Sequence, residues 1–176
     1  MKKNVATVIS RVFDPFAMLG ILFIILFVGT SIFLQAFLLM VVLPLVLFII
    51  AWKTKFVSNW DVSDRRQRPK ILWTLVLLEI AASVVLHTAG TIPIIVALIG
   101  FAVITHFWKM SGHAMGTALA TGYIVAKFGF VWWPVLLVVP AVAWARIVRK
   151  DHTVAQVIAG AAYSWLLLVV FYYWII

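Results

Sequence analysis

The sequence predicts an all-α, polytopic integral membrane helical bundle of six or seven transmembrane helices, and three observations carry that expectation. Hydrophobic residues make up 66% of the 176 residues and the mean hydropathy is +1.18, which leaves too little polar surface for a dispersed soluble globule. Apolar runs recur at roughly 13–31, 33–52, 71–88, 92–108, 112–127, 131–148 and 153–175, each near the ~20 residues that cross a hydrocarbon core. Alternating those runs across a bilayer puts thirteen of the fourteen Lys and Arg residues on one face and leaves Lys127 alone on the other. By the positive-inside rule that face is cytoplasmic, so the chain is expected as a multi-pass protein of the cell membrane with its polar loops on the cytoplasmic side.

Taken in order, residues 1–14 are basic through Lys2, Lys3 and Arg11, and no small-x-small cleavage pattern follows them. The first apolar run therefore reads as an uncleaved span. Gly29, Thr30 and Ser31 are the only interruption in about forty apolar residues, too many for one crossing, so a tight helical hairpin is expected there. Gly90 with Pro93, and Gly129, mark compact turns further on. The chain reads as one transmembrane domain over 1–176, within which 52–70 is the single extended polar loop. There are no cysteines, which excludes disulfides and thiolate metal sites. With no basic domain outside the bilayer, the net charge of +9 argues for topology and anionic headgroups rather than nucleic acid.

Three polar stretches carry chemistry. The 52–70 loop holds Arg65, Arg66, Arg68 and Lys70, cations suited to phosphate oxygens, beside Asp61 and Asp64, a weak signal for a metal. Its bland reading, a solvated anchor loop, has equal weight. Met110-Ser-Gly-His113 opens a helix with Gly112, Gly116 and Ala120 at four-residue spacing. That spacing is more often helix packing than chemistry, although Ser111 and Gly112 at a helix start leave N–H groups for an anion. The third stretch, 145–156, places Arg146, His152 and Gln156 between two apolar runs, with histidine and glutamine four residues apart on one helix face. Glu79, His87 and His106 are the remaining ionisable groups at or within apolar runs; such groups are functional candidates, with the structural reading favoured for both histidines and Glu79 balanced. Tryptophans near run ends, such as Trp52, Trp60, Trp108, Trp132, Trp133 and Trp174, read as interfacial anchors.

Together these stretches resemble the three signature motifs of the type-2 phosphatidic acid phosphatase superfamily, which includes the vanadium haloperoxidases. The family pattern is Lys-x6-Arg-Pro, then Pro-Ser-Gly-His, then Ser-Arg-x5-His-x3-Asp. This chain has Asp61-x6-Arg68-Pro69, Met110-Ser-Gly-His113 and Ala145-Arg146-x5-His152-x3-Gln156, in the same order and internal spacing, over residues 61–156. The resemblance implies His152 as the nucleophile that forms a phosphohistidine and His113 as the acid that protonates the leaving oxygen. It implies Arg68, Arg146, Ser111 and the Gly112 N–H around the phosphate, with Arg65, Arg66 or Lys70 replacing the cation lost at Asp61. Gln156, in place of aspartate, keeps an acceptor for the imidazole and gives up its negative charge.

The implied substrate is a phosphorylated lipid reaching the site within the bilayer: phosphatidic acid, phosphatidylglycerol phosphate or an isoprenyl diphosphate. No metal or cofactor is required by that scheme. Two other readings stay open: a lipid phosphotransferase or prenyl-diphosphate enzyme on the same scaffold, and a non-catalytic binder of anionic lipids.

Overall fold

The structure is a computed structural model that describes residues 2–64 and 66–171. Every regular element among them is helical, and they include no strand. Three helical stretches, Lys2–Phe27, Phe33–Lys53 and Phe130–Val148, are long and apolar enough to cross a membrane; Ile92–Phe107 and Val154–Val170 are apolar but shorter. The described chain divides into two compact units, 1–22 with 110–176 and 23–109.

In the first unit α1 (Lys2–Val12) leads directly into α2 (Pro15–Phe27), whose later residues belong to the second unit. The sequence expectation began the first helical run at residue 13, and the helix over the basic N-terminus was not foreseen. Asp14 makes the junction: its Oδ1 accepts the Phe16 N–H at 3.0 Å, and Pro15 follows as a first helical residue with no N–H to satisfy. α1 packs on α8 (Val138–Val148).

α7 (Gly112–Phe128) packs most closely on α9 (Val154–Val170). Small residues permit this. A Cβ at Gly160 of α9 would fall 2.6 Å from the Ser111 carbonyl oxygen, inside van der Waals contact, so only glycine lets the two helix starts meet. Below that crossing Ser164 donates to the Met115 carbonyl at 2.7 Å, and Ala118, Val139 and Ala161 form a small core. The apolar run 131–148 is not one α-helix: a 3-10 stretch, Phe130–Leu137, precedes α8. Pro134 lies inside it, where a missing N–H and the ring's clash with the preceding turn oppose α-helical bonding.

In the second unit α3 (Phe33–Phe37), a π-turn (Leu38–Val42) and α4 (Leu43–Lys53) form one helical stretch. Pro44 explains the turn: it cannot donate to the Met40 carbonyl, and the neighbouring Leu43 N–H bonds Leu38 five residues back. The expected break at Gly29 to Ser31 is present, with Gly29 at φ 84°. α5 (Arg68–Val85) and α6 (Ile92–Phe107) form a hairpin. α5 stops at His87 in the left-handed region, φ 48°, with His87 N–H to Val84 and Thr88 N–H to Ser83. This is a Schellman motif, which asks for left-handed backbone at that position. His87 therefore has a terminating role, and the turn is tightened by Ser83 donating to the Thr88 carbonyl at 2.6 Å and Thr91 to the Ser83 hydroxyl at 2.9 Å.

Candidate functional site

One helix end and two helix starts of the first unit bring charged groups together. α8 ends in a second Schellman motif: Lys150 N–H bonds the Ile147 carbonyl at 2.9 Å, and Asp151 N–H bonds the Arg146 carbonyl at 3.0 Å, with Lys150 left-handed at φ 62°. The reversal returns the Asp151 carboxylate onto its own helix, 3.1 Å from Arg146 Nη2 and 2.7 Å from Arg149 Nε. It also carries the chain straight to His152, whose N–H lies 3.4 Å from the Arg146 carbonyl.

Arg146 is 1% exposed. Its Nη1 donates to Ser10 Oγ at 2.6 Å and lies 3.5 Å from His113 Nε2. The same His113 Nε2 is 4.0 Å from Asp14 Oδ2. A buried guanidinium is tolerated where its donors find acceptors; α1 offers Ser10 to Nη1, and the Schellman turn offers Asp151 to Nη2. Ser10, Asp14, His113, Arg146 and His152 are all less than a tenth exposed.

The starts of α7 and α9 are joined by Ser111 N–H donating to the Gln156 carbonyl at 3.1 Å. Ser111 caps α7, accepting the Ala114 N–H at 3.4 Å. Thr153 caps α9 through a full capping box: its hydroxyl accepts the Gln156 N–H at 3.3 Å, and Gln156 Oε1 accepts the Thr153 N–H at 3.1 Å. The same Oε1 stands 3.1 Å from His152 Nδ1. In the tautomer with a proton on Nδ1, that bond orients the ring and leaves the Nε2 lone pair available. Gln156 thus has a reason of its own to be glutamine: a capping box takes Glu or Gln at this position, and aspartate is one methylene short.

The structure brings His113, Arg146, Ser111, Gly112, His152 and Gln156 into one unit and joins His113 to Arg146, and Ser111 and His152 to Gln156. Arg68 and Lys70 belong to the second unit. Arg68 is buried, and its guanidinium holds the polar loop: Nε donates to the Val62 carbonyl at 2.7 Å and Nη2 to the Asp61 carbonyl at 3.4 Å. Val62 sits at φ 43°, a strained conformation for a β-branched residue, which that bond secures. Lys70 is exposed, and Arg65 lies outside the described residues. Three contributors were missed from sequence: Ser10, Asp14 and Asp151. Asp14-Pro15 is a helix-start signature that could have flagged one of them; Ser10 carries no local signal. Among the described residues no group of three or more His, Asp or Glu side chains is placed to hold a metal.

No family model matches this chain, and no curated protein or solved structure matches it.

Proposed function

We propose that this protein is an integral membrane lipid phosphatase of six or seven spans. Its polar loops face the cytoplasm, and it hydrolyses a phosphomonoester or diphosphate lipid through a phosphohistidine intermediate. The observation that carries the reading is the position of Arg146 between the two histidine segments: its guanidinium 3.5 Å from His113 Nε2, its carbonyl at the His152 N–H. The motif resemblance named those three residues from sequence alone, and a fixed cation among imidazoles is what phosphoryl transfer uses.

In the proposed reaction His152 Nε2 attacks phosphorus while the bond to the lipid oxygen breaks, and His113 delivers a proton to that oxygen. Water then gives a proton to His113 and attacks the phosphohistidine, releasing phosphate and restoring His152. Gln156 holds Nδ1 but adds no charge to offset the imidazole as it becomes positive. Substrate enters laterally within the bilayer, as suits a chain this apolar.

A second reading has an observation in its favour. Arg146 is enclosed by Ser10, His113 and Asp151, as a structural cation would be, and a non-catalytic binder of anionic lipids would need no more.

Phosphate release from a panel of phosphatidic acid, phosphatidylglycerol phosphate and isoprenyl diphosphate separates the two. The phosphatase reading expects release by the native protein and its loss, by about 10³-fold or more, in His152→Ala. Release unchanged in that variant, or none from any panel lipid, sinks it. Gln156→Glu keeps the reach of the capping box and adds the missing charge, so turnover is expected to rise about tenfold or more, within the ~10⁴ that such a carboxylate is worth in a serine-protease triad.

A further inference from the structure

The second unit contains a cavity of about 140 Å³ between α4 and α5. One wall runs from Ala51 to Pro44 and the other from Ile71 to Leu78, with Phe56 of the polar loop at one end. Eight residues of helix on each side, about 1.5 Å apart along the axis, give a slot roughly 10 Å long. Thr74 is its one polar lining residue among the described residues, and the Thr74 hydroxyl donates to the Lys70 carbonyl at 2.9 Å in its own helix. A slot so lined offers an occupant apolar contact and little else.

The loop end is different. Lys70 Nζ lies 5.9 Å from the centre of the Phe56 ring, within cation–π range, so its ammonium stands beside the lining residue at the loop end. Lys53, Lys55 and Arg66 are exposed on the same loop. Arg68 is not at this end as a donor to ligands, because its guanidinium serves the Val62 and Asp61 carbonyls. An apolar slot with an ammonium at its loop end complements an amphipathic anion whose charge sits at one end of a hydrocarbon chain.

We infer that this slot is a lipid site: one acyl chain of an anionic phospholipid lies between α4 and α5, with its phosphate on Lys70. The inference does not rest on the phosphatase reading, since the slot contains neither histidine and lies wholly within the second unit.

The test is native mass spectrometry of the full-length protein in detergent, with added palmitoyl-oleoyl phosphatidylglycerol or the matching phosphatidylcholine. The native protein is expected to retain phosphatidylglycerol about fivefold more than phosphatidylcholine, the effect of one lysine near an anionic headgroup. Lys70→Gln, at an exposed position, should erase that preference while keeping both lipids weakly bound. Leu75→Trp, which fills the slot, should lose both, with thermal unfolding recorded alongside to establish that it folds. His152→Ala should retain phosphatidylglycerol as the native protein does. Equal retention of the two lipids by the native protein, or a preference that survives Lys70→Gln, overturns the inference. So does a preference abolished by His152→Ala, which would put the lipid at the histidines instead.

Discussion

In the first unit Arg146, 1% exposed, is met by a serine hydroxyl, an imidazole and a carboxylate. In the second, Glu79 is 0% exposed, and neither of its carboxylate oxygens has a hydrogen-bond partner among the described residues. The difference follows from where each residue sits on its helix. Arg146 is in the last turn of α8, beside a chain reversal that returns Asp151, and α1 packs alongside with Ser10. Glu79 is in the body of α5, where the backbone groups of its own helix are already bonded to one another. Sequence alone places Arg146 in a polar stretch between two apolar runs and Glu79 within one; a helix end offers polar groups that a helix interior does not.

The largest expected consequence is the loss of Arg146. Arg146→Met should lower stability by about 2–3 kcal/mol, because Ser10 Oγ and the Asp151 carboxylate lose a buried charged donor and Asp151 keeps only Arg149. Thermal unfolding in detergent, followed by circular dichroism, measures it. A change below about 1 kcal/mol would mean that Arg149 alone holds Asp151 and that the contact with Arg146 is not a working ion pair.

Removing the carboxyl of Glu79 should do the reverse. Glu79→Leu is expected to raise stability by roughly 1–3 kcal/mol, since a buried polar group with no partner costs about that much and leucine fills a similar volume. If Glu79→Leu unfolds the protein as readily as Arg146→Met does, the carboxyl has a partner in the membrane and the contrast between the units fails. A stable variant with altered lipid turnover would instead give Glu79 a functional part, as intramembrane ionisable residues often have.

These two residues also mark what could be read without coordinates. The helical class was legible because apolar runs of membrane length leave few alternatives. Helix boundaries from Ile92 to Phe128 were close to expectation because Pro93, Ser111 and Gly129 are local punctuation. The N-terminal helix was not legible: its basic residues read as an anchor, and its contribution is a contact from Ser10 to Arg146, 136 residues away. Helix ends at Lys55, His87 and Lys150 were hidden for a related reason. All three take left-handed backbone with φ of 61°, 48° and 62°, where a search for glycine finds nothing. The pairing of His152 with Gln156 was expected for a different reason: a shared helix face was predicted, whereas α9 starts at Val154 after the Thr153 cap, and Gln156 meets His152 by reaching back past the helix start. That Gln156 also completes a capping box needed the position of Thr153.

The close approach of α7 to α9 gives a smaller test within the first unit. Gly160→Ala puts a methyl 2.6 Å from the Ser111 carbonyl, and the obstacle is backbone, so the helices must part. A loss of about 1–3 kcal/mol is expected, with weakening of the bond from Ser111 N–H to the Gln156 carbonyl. Hydrogen exchange at the Ser111 amide reports that bond directly; protection unchanged from the native protein would show that the two helix starts are not held by this contact.

The smallest effect is expected at Lys150, and it has the opposite sign. Left-handed backbone costs a side-chain-bearing residue about 1–2 kcal/mol, and glycine escapes that cost while losing some of the gain to its freer unfolded chain. Lys150→Gly should therefore stabilise the protein by somewhat less, about 0.5–1 kcal/mol, with the bond from Asp151 N–H to the Arg146 carbonyl retained. The lysine side chain is exposed, so little contact is lost with it. A destabilised Lys150→Gly would show that Lys150 contributes through its charge near the carboxylate of Asp151; repeating the measurement in high salt, which screens an exposed charge, would then shrink the difference. If instead the stabilisation appears and persists in salt, the backbone at residue 150 sets the geometry that delivers Asp151 to Arg146, and the lysine is tolerated there in spite of its side chain.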